Sequence, residues 1–93
     1  MRLAPDHAAA PVNLGSALNE TGRIAEAIAM YQKAVEIKPH YMAYTNLGTA
    51  YSRASRYNEA AIAYKKALEL DDKDSMVWGN LAFVLLDRKF LFF

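Results

Sequence analysis

Few residues in this sequence combine the types and the spacing that catalysis or metal binding requires. His7 and His40 are its two histidines, and without a positioned third ligand they indicate solvated loop residues more than a metal site. Residues 71–74 are similar to a calcium-binding loop but lack its central glycine and closing glutamate. Three serines have no histidine on their own helices to act as a base: Ser16, Ser52 and Ser55. We therefore expect no metal, no cofactor and no enzymatic activity.

Three asparagines have a spacing that suits binding better than catalysis. They are Asn13, Asn46 and Asn80, and each precedes a leucine, in the phrases NLG, NLG and NLA. A side-chain amide offers both a donor and an acceptor, so a row of amides can pair with the backbone of an extended peptide. The alternative is that these amides are merely solvated and bind nothing.

The elements that would position these asparagines follow from an internal repeat. Leu14-Gly15 recurs 33 residues later as Leu47-Gly48, and a third, incomplete copy begins at Leu81-Ala82. Internal periods of this length indicate stacked units that cannot bury their apolar faces alone. Apolar residues at three- and four-residue spacing predict helices within each unit. The predicted helices cover about 8–20, 23–37, 41–54, 56–70 and a fifth segment from about 75 onward.

Several residues are suited to end or begin these helices. Gly22 suits the left-handed position just past a helix end, and Ala54-Ser55 occupies the equivalent break in the second copy. Pro39 and Asp71-Asp72 close the second and fourth helices, and Asp74 suits the N-cap of the fifth.

Composition and charge limit the class of protein. A chain of 93 residues with 54% hydrophobic and 23% charged residues is one small globular domain at most. Its net charge of +1 gives no reason to expect binding to nucleic acid. The absence of cysteine excludes disulfides and thiolate metal sites. Because the chain has neither an 18-residue uncharged apolar segment nor the apolar run of a signal peptide, we expect a soluble, cytoplasmic protein without a membrane span.

The repeats resemble the tetratricopeptide repeat. That family has an aromatic residue, then Leu-Gly, a second aromatic residue, Ala, an aromatic residue, Ala and finally Pro. In the second copy the matching residues are Tyr44, Leu47, Gly48, Tyr51, Ala60, Tyr64 and Ala67. Departures are Pro11 at the opening of the first copy and Asp72 at the close of the second, and the third copy matches only at its start. The resemblance, over about residues 8–87, implies an all-α, right-handed helix-turn-helix solenoid of five helices.

The expected organisation is a single domain over residues 1–93. Repeat 1 would cover about 8–40 and repeat 2 about 41–74. A terminal half repeat would cover about 75–93.

The resemblance also implies where a ligand would bind. In this family the first helices of the repeats line a concave face that binds extended segments of partners. The corresponding groove residues here are Asn13, Ser16, Asn46, Thr49, Arg53 and Asn80. The asparagines resemble the ladder in the repeat domain of the O-linked N-acetylglucosamine transferases, which grips peptide backbones with little regard for sequence. Chaperone-binding members instead hold a terminal carboxylate with Lys and Arg, and we reject that role because this chain has no cation at the corresponding positions.

The fifth predicted helix is apolar around most of its circumference. Such a helix is normally buried, whereas the terminal helix of a solenoid needs a polar outer face. Three interpretations remain open: self-association, anchoring at a membrane surface, and the end of a longer protein whose last six residues have no evolved role. For self-association, to a dimer, the expected contacts are Trp78, Phe83, Leu86 and Phe90.

The sequence therefore predicts a non-catalytic protein-protein interaction module. We expect it to bind an extended peptide segment in a concave groove and to self-associate through its C-terminal helix. The alternative is a purely structural homo-oligomerisation module, or a fragment of a larger repeat-containing protein.

Overall fold

The chain folds into five α-helices joined by short turns. The computed structural model describes residues 9–90, with side chains described for residues 11–86. The helices are α1 (Ala9–Glu20), α2 (Ile24–Ile37), α3 (Tyr41–Arg53), α4 (Tyr57–Leu70) and α5 (Ser75–Phe90). No strand occurs in residues 9–90. The expectation of an all-α, five-helix fold is confirmed, and the predicted bounds of α1 to α4 lie within one residue of those observed.

The turns inside the two repeats share one geometry. Gly22 ends the turn after α1 with φ +85°, and Ser55 holds the equivalent place after α3 with φ +62°. The next residue donates its backbone N–H across the turn, from Arg23 to the Leu18 oxygen at 2.8 Å and equivalently in repeat 2. These bonds, which reach back five residues, are those of the Schellman motif and satisfy carbonyls at the helix end. The prediction for Gly22 is confirmed.

The connections between repeats place a side-chain cap before each following first helix. His40 Nδ1 accepts the backbone N–H of Met42 at 3.1 Å, at the start of α3. Asp74 Oδ1 accepts the backbone N–H of Met76 at 2.9 Å, as the sequence predicts for α5. Each cap satisfies a donor that the first helical turn would otherwise leave free. His7 lies outside the described residues.

Within each repeat a tyrosine ring packs onto a glycine of the preceding helix. A Cβ atom added to Gly15 would lie 2.8 Å from Tyr31 Cε1, and one added to Gly48 would lie 2.7 Å from Tyr64 Cε1. Both tyrosines are 2% exposed. The glycines therefore allow the two helices of a repeat to approach so closely that no side chain fits between backbone and ring.

The helices stack in chain order. Each packs against its neighbours in sequence, and α3 also contacts α1 and α5, so the three first helices lie side by side. The buried residues of α5 are Val77, Leu81 and Val84, which continue the core formed by α2, α3 and α4. This layer of first helices forms the surface on which the candidate site lies.

Candidate functional site

A groove of about 400 Å³ lies between α3 and α5, at the second and third repeats. Its lining residues are Met42, Thr45, Asn46, Thr49, Ser52 and Arg53 from α3, Met76, Asn80, Phe83 and Val84 from α5, and Tyr64 from α4. These residues extend from the first to the last turn of α3, so the groove runs along the two helices.

The structure brings together four of the six residues that the sequence assigns to a groove. Asn46, Thr49, Arg53 and Asn80 all line the space between α3 and α5. Asn13 and Ser16 lie on α1 and are not among its lining residues.

The two asparagines of the groove occupy equivalent positions in the repeat, Asn46 on α3 and Asn80 on α5. Asn46 and Asn80 are both half-buried. Within residues 11–86, no side-chain hydrogen bond involves either of these two amides, and the nearby hydroxyl and indole groups bond elsewhere. Each amide therefore keeps a donor and an acceptor for a group that enters the groove.

The hydroxyl groups assigned to the groove are already hydrogen-bonded within their own repeats. Thr49 Oγ1 and Tyr64 Oη share a hydrogen bond of 2.9 Å, and Ser16 Oγ and Tyr31 Oη share one of 3.1 Å. Burial raises the pKa of Tyr64 above its ordinary value, and the hydrogen bond with Thr49 opposes that rise. Thr49 therefore fixes the groove-facing edge of a neutral tyrosine. Sequence reasoning missed this pairing, although the same 15-residue spacing occurs in both repeats.

Arg53, in the last turn of α3, is the charged residue among the described residues that line the groove. Two other arginines are held in forked ion pairs at the N-termini of the second helices, Arg23 with Glu26 and Arg56 with Glu59. The hydrogen bond from Arg56 lowers the pKa of Glu59, so that pair stays charged. Arg53 has no such partner among the carboxylates whose side chains the structure describes.

The residues assigned to self-association lie on different sides of α5. Phe83 lines the groove with α3, whereas Trp78 lines a second cavity of about 410 Å³ between α4 and α5. Trp78 Nε1 donates to the backbone oxygen of Asp72 at 2.8 Å, which fixes the indole against the α4–α5 turn. Leu86 is exposed, and the side chain of Phe90 lies outside the described residues.

Metal-ligand clusters and membrane-spanning helices are both absent from the described part of the chain. In that part of the chain no three side chains of His, Cys, Asp or Glu are grouped as a metal ion would require. None of the described helices has both the length and the apolar character needed to cross a membrane.

Comparisons with known proteins agree with this architecture. The family profile described as "Tetratricopeptide repeat" matches residues 6–73. Among solved structures, the Sgt2 TPR domain from Aspergillus fumigatus is similar with a TM-score of 0.86 at 25% identity, over 92% of this chain and 57% of that chain. A mutant of MamA is similar with a TM-score of 0.82 at 25% identity, over 92% of this chain and 64% of that chain.

The chain thus spans less than two thirds of the length of either solved relative. No curated protein matches it. The profile match covers most of the sequence, and both structural neighbours reproduce its helical stacking. The chain belongs to the tetratricopeptide repeat family, whose members are generally non-catalytic protein-interaction modules.

Proposed function

We propose that this protein-interaction module binds an extended peptide segment in the groove between α3 and α5. The observation that carries the proposal is the pair Asn46 and Asn80, which the fold places on facing helices of one groove. Each amide can donate to a peptide carbonyl and accept from a peptide N–H. Such bonds engage the backbone of the peptide, so the groove would accept many sequences.

The test of this proposal is peptide binding to matched asparagine variants. An array of random acetylated and amidated octapeptides is screened with wild-type protein, and the strongest binders are titrated by fluorescence anisotropy. We expect Asn46→Ala and Asn80→Ala each to weaken all binders by about 2- to 13-fold, the effect of losing roughly 0.5–1.5 kcal/mol of hydrogen bonding. The loss should be similar for peptides of unrelated sequence.

Asn58→Ala is the control, because Asn58 is exposed on α4 and does not line the groove. It should bind the peptides as wild-type protein does. Equal affinity of Asn46→Ala, Asn80→Ala and Asn58→Ala for every peptide would contradict the proposal.

The second candidate function is self-association through α5. Trp78 is 51%, Leu85 40% and Leu86 66% exposed, all on one helix at the end of the described array. Leu86 occupies the place that Asn19 and Ser52 hold in the first two repeats, so the exposed apolar side chain is particular to α5. A dimer formed through these residues would remove the apolar side chains from water and could bring two short grooves together.

Light scattering coupled to size exclusion tests this candidate over a wide range of protein concentration. We expect a mass near twice 10.4 kDa for wild-type protein. Leu86→Asp should reduce the mass to that of a monomer, whereas Ile62→Asp, which alters an exposed apolar residue of α4, should not. A wild-type monomer at every concentration would exclude self-association and leave the peptide proposal unaffected.

A further inference from the structure

The groove between α3 and α5 has unlike ends. Met42 lies in the first turn of α3, and Met76, its equivalent 34 residues later, lies in the first turn of α5. Unbranched thioether side chains adapt to apolar groups of various shapes. Both methionines are exposed, at 39% and 56%, so the described structure leaves this end open to an apolar group.

The opposite end of the groove is positive. Among the lining residues whose side chains the structure describes, Arg53 alone has a formal charge at neutral pH, since the other ten are uncharged residues, Tyr64 among them. No aspartate or glutamate is among these described lining residues. The described groove therefore favours a negatively charged group near Arg53. The described residues around the methionine end are uncharged and favour neither sign of charge.

The distance between the two ends sets a spacing on any extended occupant. Met42 and Arg53 are eleven residues apart on one helix, which corresponds to a rise of roughly 16 Å at 1.5 Å per residue. An extended peptide advances about 3.3 Å per residue, so a separation of five residues spans that length, and one of four residues falls short by about 3 Å, which the long Arg53 side chain can bridge. Asn46 and Asn80 lie between the two ends, where they would meet the backbone of the intervening residues.

We propose that the groove selects peptides carrying an apolar side chain, seated between Met42 and Met76, and an acidic side chain four to five residues away, paired with Arg53. This inference rests on the proposed peptide-binding function and adds its specificity. The occupant is an internal segment of a partner protein, because the recognised carboxylate belongs to a side chain. The two asparagines bind the backbone of any peptide, and the two ends of the groove discriminate between peptide sequences.

The test uses synthetic peptides of serine and glycine that are acetylated, amidated and fluorescently labelled. The parent peptide carries one leucine and one aspartate, is made with separations of four and of five residues, and is made in both orders at each separation. Comparison peptides replace aspartate by asparagine, replace leucine by serine, or shorten the separation to two residues. A further peptide has no aspartate but a free C-terminal carboxylate.

We expect at least one order of the parent peptide to bind about three- to tenfold more tightly than its asparagine, serine and short-spacing counterparts. Arg53→Gln should abolish the preference for aspartate over asparagine and keep the preference for leucine over serine. Met76→Gln should abolish the preference for leucine over serine and keep the preference for aspartate over asparagine. The preference for aspartate should fall in 1 M salt, where the screening length is only about 3 Å.

Lys33→Gln is the matched control, because it removes one positive charge from an exposed site on α2 outside the groove. It should leave both preferences intact. Asp87→Asn is also measured, since Asp87 stands one repeat after Arg53 and its side chain lies outside those described. An unchanged or increased preference for aspartate in this variant agrees with the proposal.

The outcomes separate this inference from the function on which it rests. Peptides that bind with dependence on Asn46 but without regard to aspartate or spacing would overturn the inference and leave peptide binding standing. Tighter binding of the free C-terminal carboxylate than of the internal aspartate would also overturn it. If none of the peptides binds, and the random array gives no binder either, both proposals fail.

Discussion

Replacing Gly48 by alanine should destabilise the protein relative to the same replacement at Gly79. A Cβ atom at position 48 would lie 2.7 Å from Tyr64 Cε1, whereas one at position 79 would have no neighbour within 4 Å. To restore an ordinary contact of 3.4 Å, the ring must move by roughly 0.7 Å. Tyr64 is 2% exposed and its hydroxyl is bonded to Thr49, so surrounding atoms resist that movement.

The magnitude follows from two opposing effects. Both glycines lie inside helices, so either alanine gains about 0.5–1 kcal/mol of helix propensity. At Gly48 alone, overpacking against Tyr64 opposes this gain and costs about 1–3 kcal/mol. The free energy of unfolding of Gly48→Ala should therefore be about 1–3 kcal/mol below that of Gly79→Ala, because the propensity gain is common to both variants.

Urea denaturation followed by far-ultraviolet circular dichroism measures this difference. Low protein concentration is used so that self-association does not contribute to the apparent stability. Tyr64 also lines the groove, so Gly48→Ala should weaken peptide binding while Gly79→Ala leaves it unchanged. Equal unfolding free energies for the two variants would refute the packing argument.

Three further predictions concern the turns, a cap and a buried hydroxyl. Gly22→Ala should lower the free energy of unfolding by about 1–2 kcal/mol, and Ser55→Gly should raise it by up to about 1 kcal/mol, because both positions have positive φ. Urea denaturation of the two variants should show these changes with opposite signs. His40→Ala should lower the free energy of unfolding by about 0.5–1 kcal/mol through loss of the α3 cap, and hydrogen exchange should accelerate most at the amides of the first turn of α3. The pKa of Tyr64 is higher in the folded state, so the unfolded chain releases the hydroxyl proton first as pH rises above about 10. The free energy of unfolding should therefore fall in that pH range. Denaturation at alkaline pH should show a smaller fall for Tyr64→Phe.

The helices were predictable because local signals and the repeat agree. Gly22 occupies a left-handed position that its lack of a side chain permits, and Asp74 caps the helix that it precedes. The apolar spacing of α2 and α4 repeats with the same register, so each copy supports the assignment of the other. Ser55 was harder to predict in this respect, since a non-glycine residue adopts the left-handed conformation there.

The site was less predictable because it depends on which faces of neighbouring helices meet. The family pattern placed Asn46 and Asn80 on the first helices, and the structure puts them in one groove. The pattern did not show that Thr49 is bonded to Tyr64, since the partner lies on another helix. It also grouped Trp78 with Phe83, five residues apart, although a helix turns by about 100° per residue and separates them onto different sides.

Stacking in chain order leaves α5 with less support than α3. In the described residues α3 contacts all four other helices, whereas α5 contacts α3 and α4. A helix that packs against fewer neighbours opens locally at a lower free energy than one packed on several sides. The α3 wall of the groove is therefore well supported, whereas the α5 wall belongs to the helix that opens more easily. A bound peptide that touches both walls must favour the closed form of α5, so occupancy of the groove would be recorded as slower amide exchange along that helix.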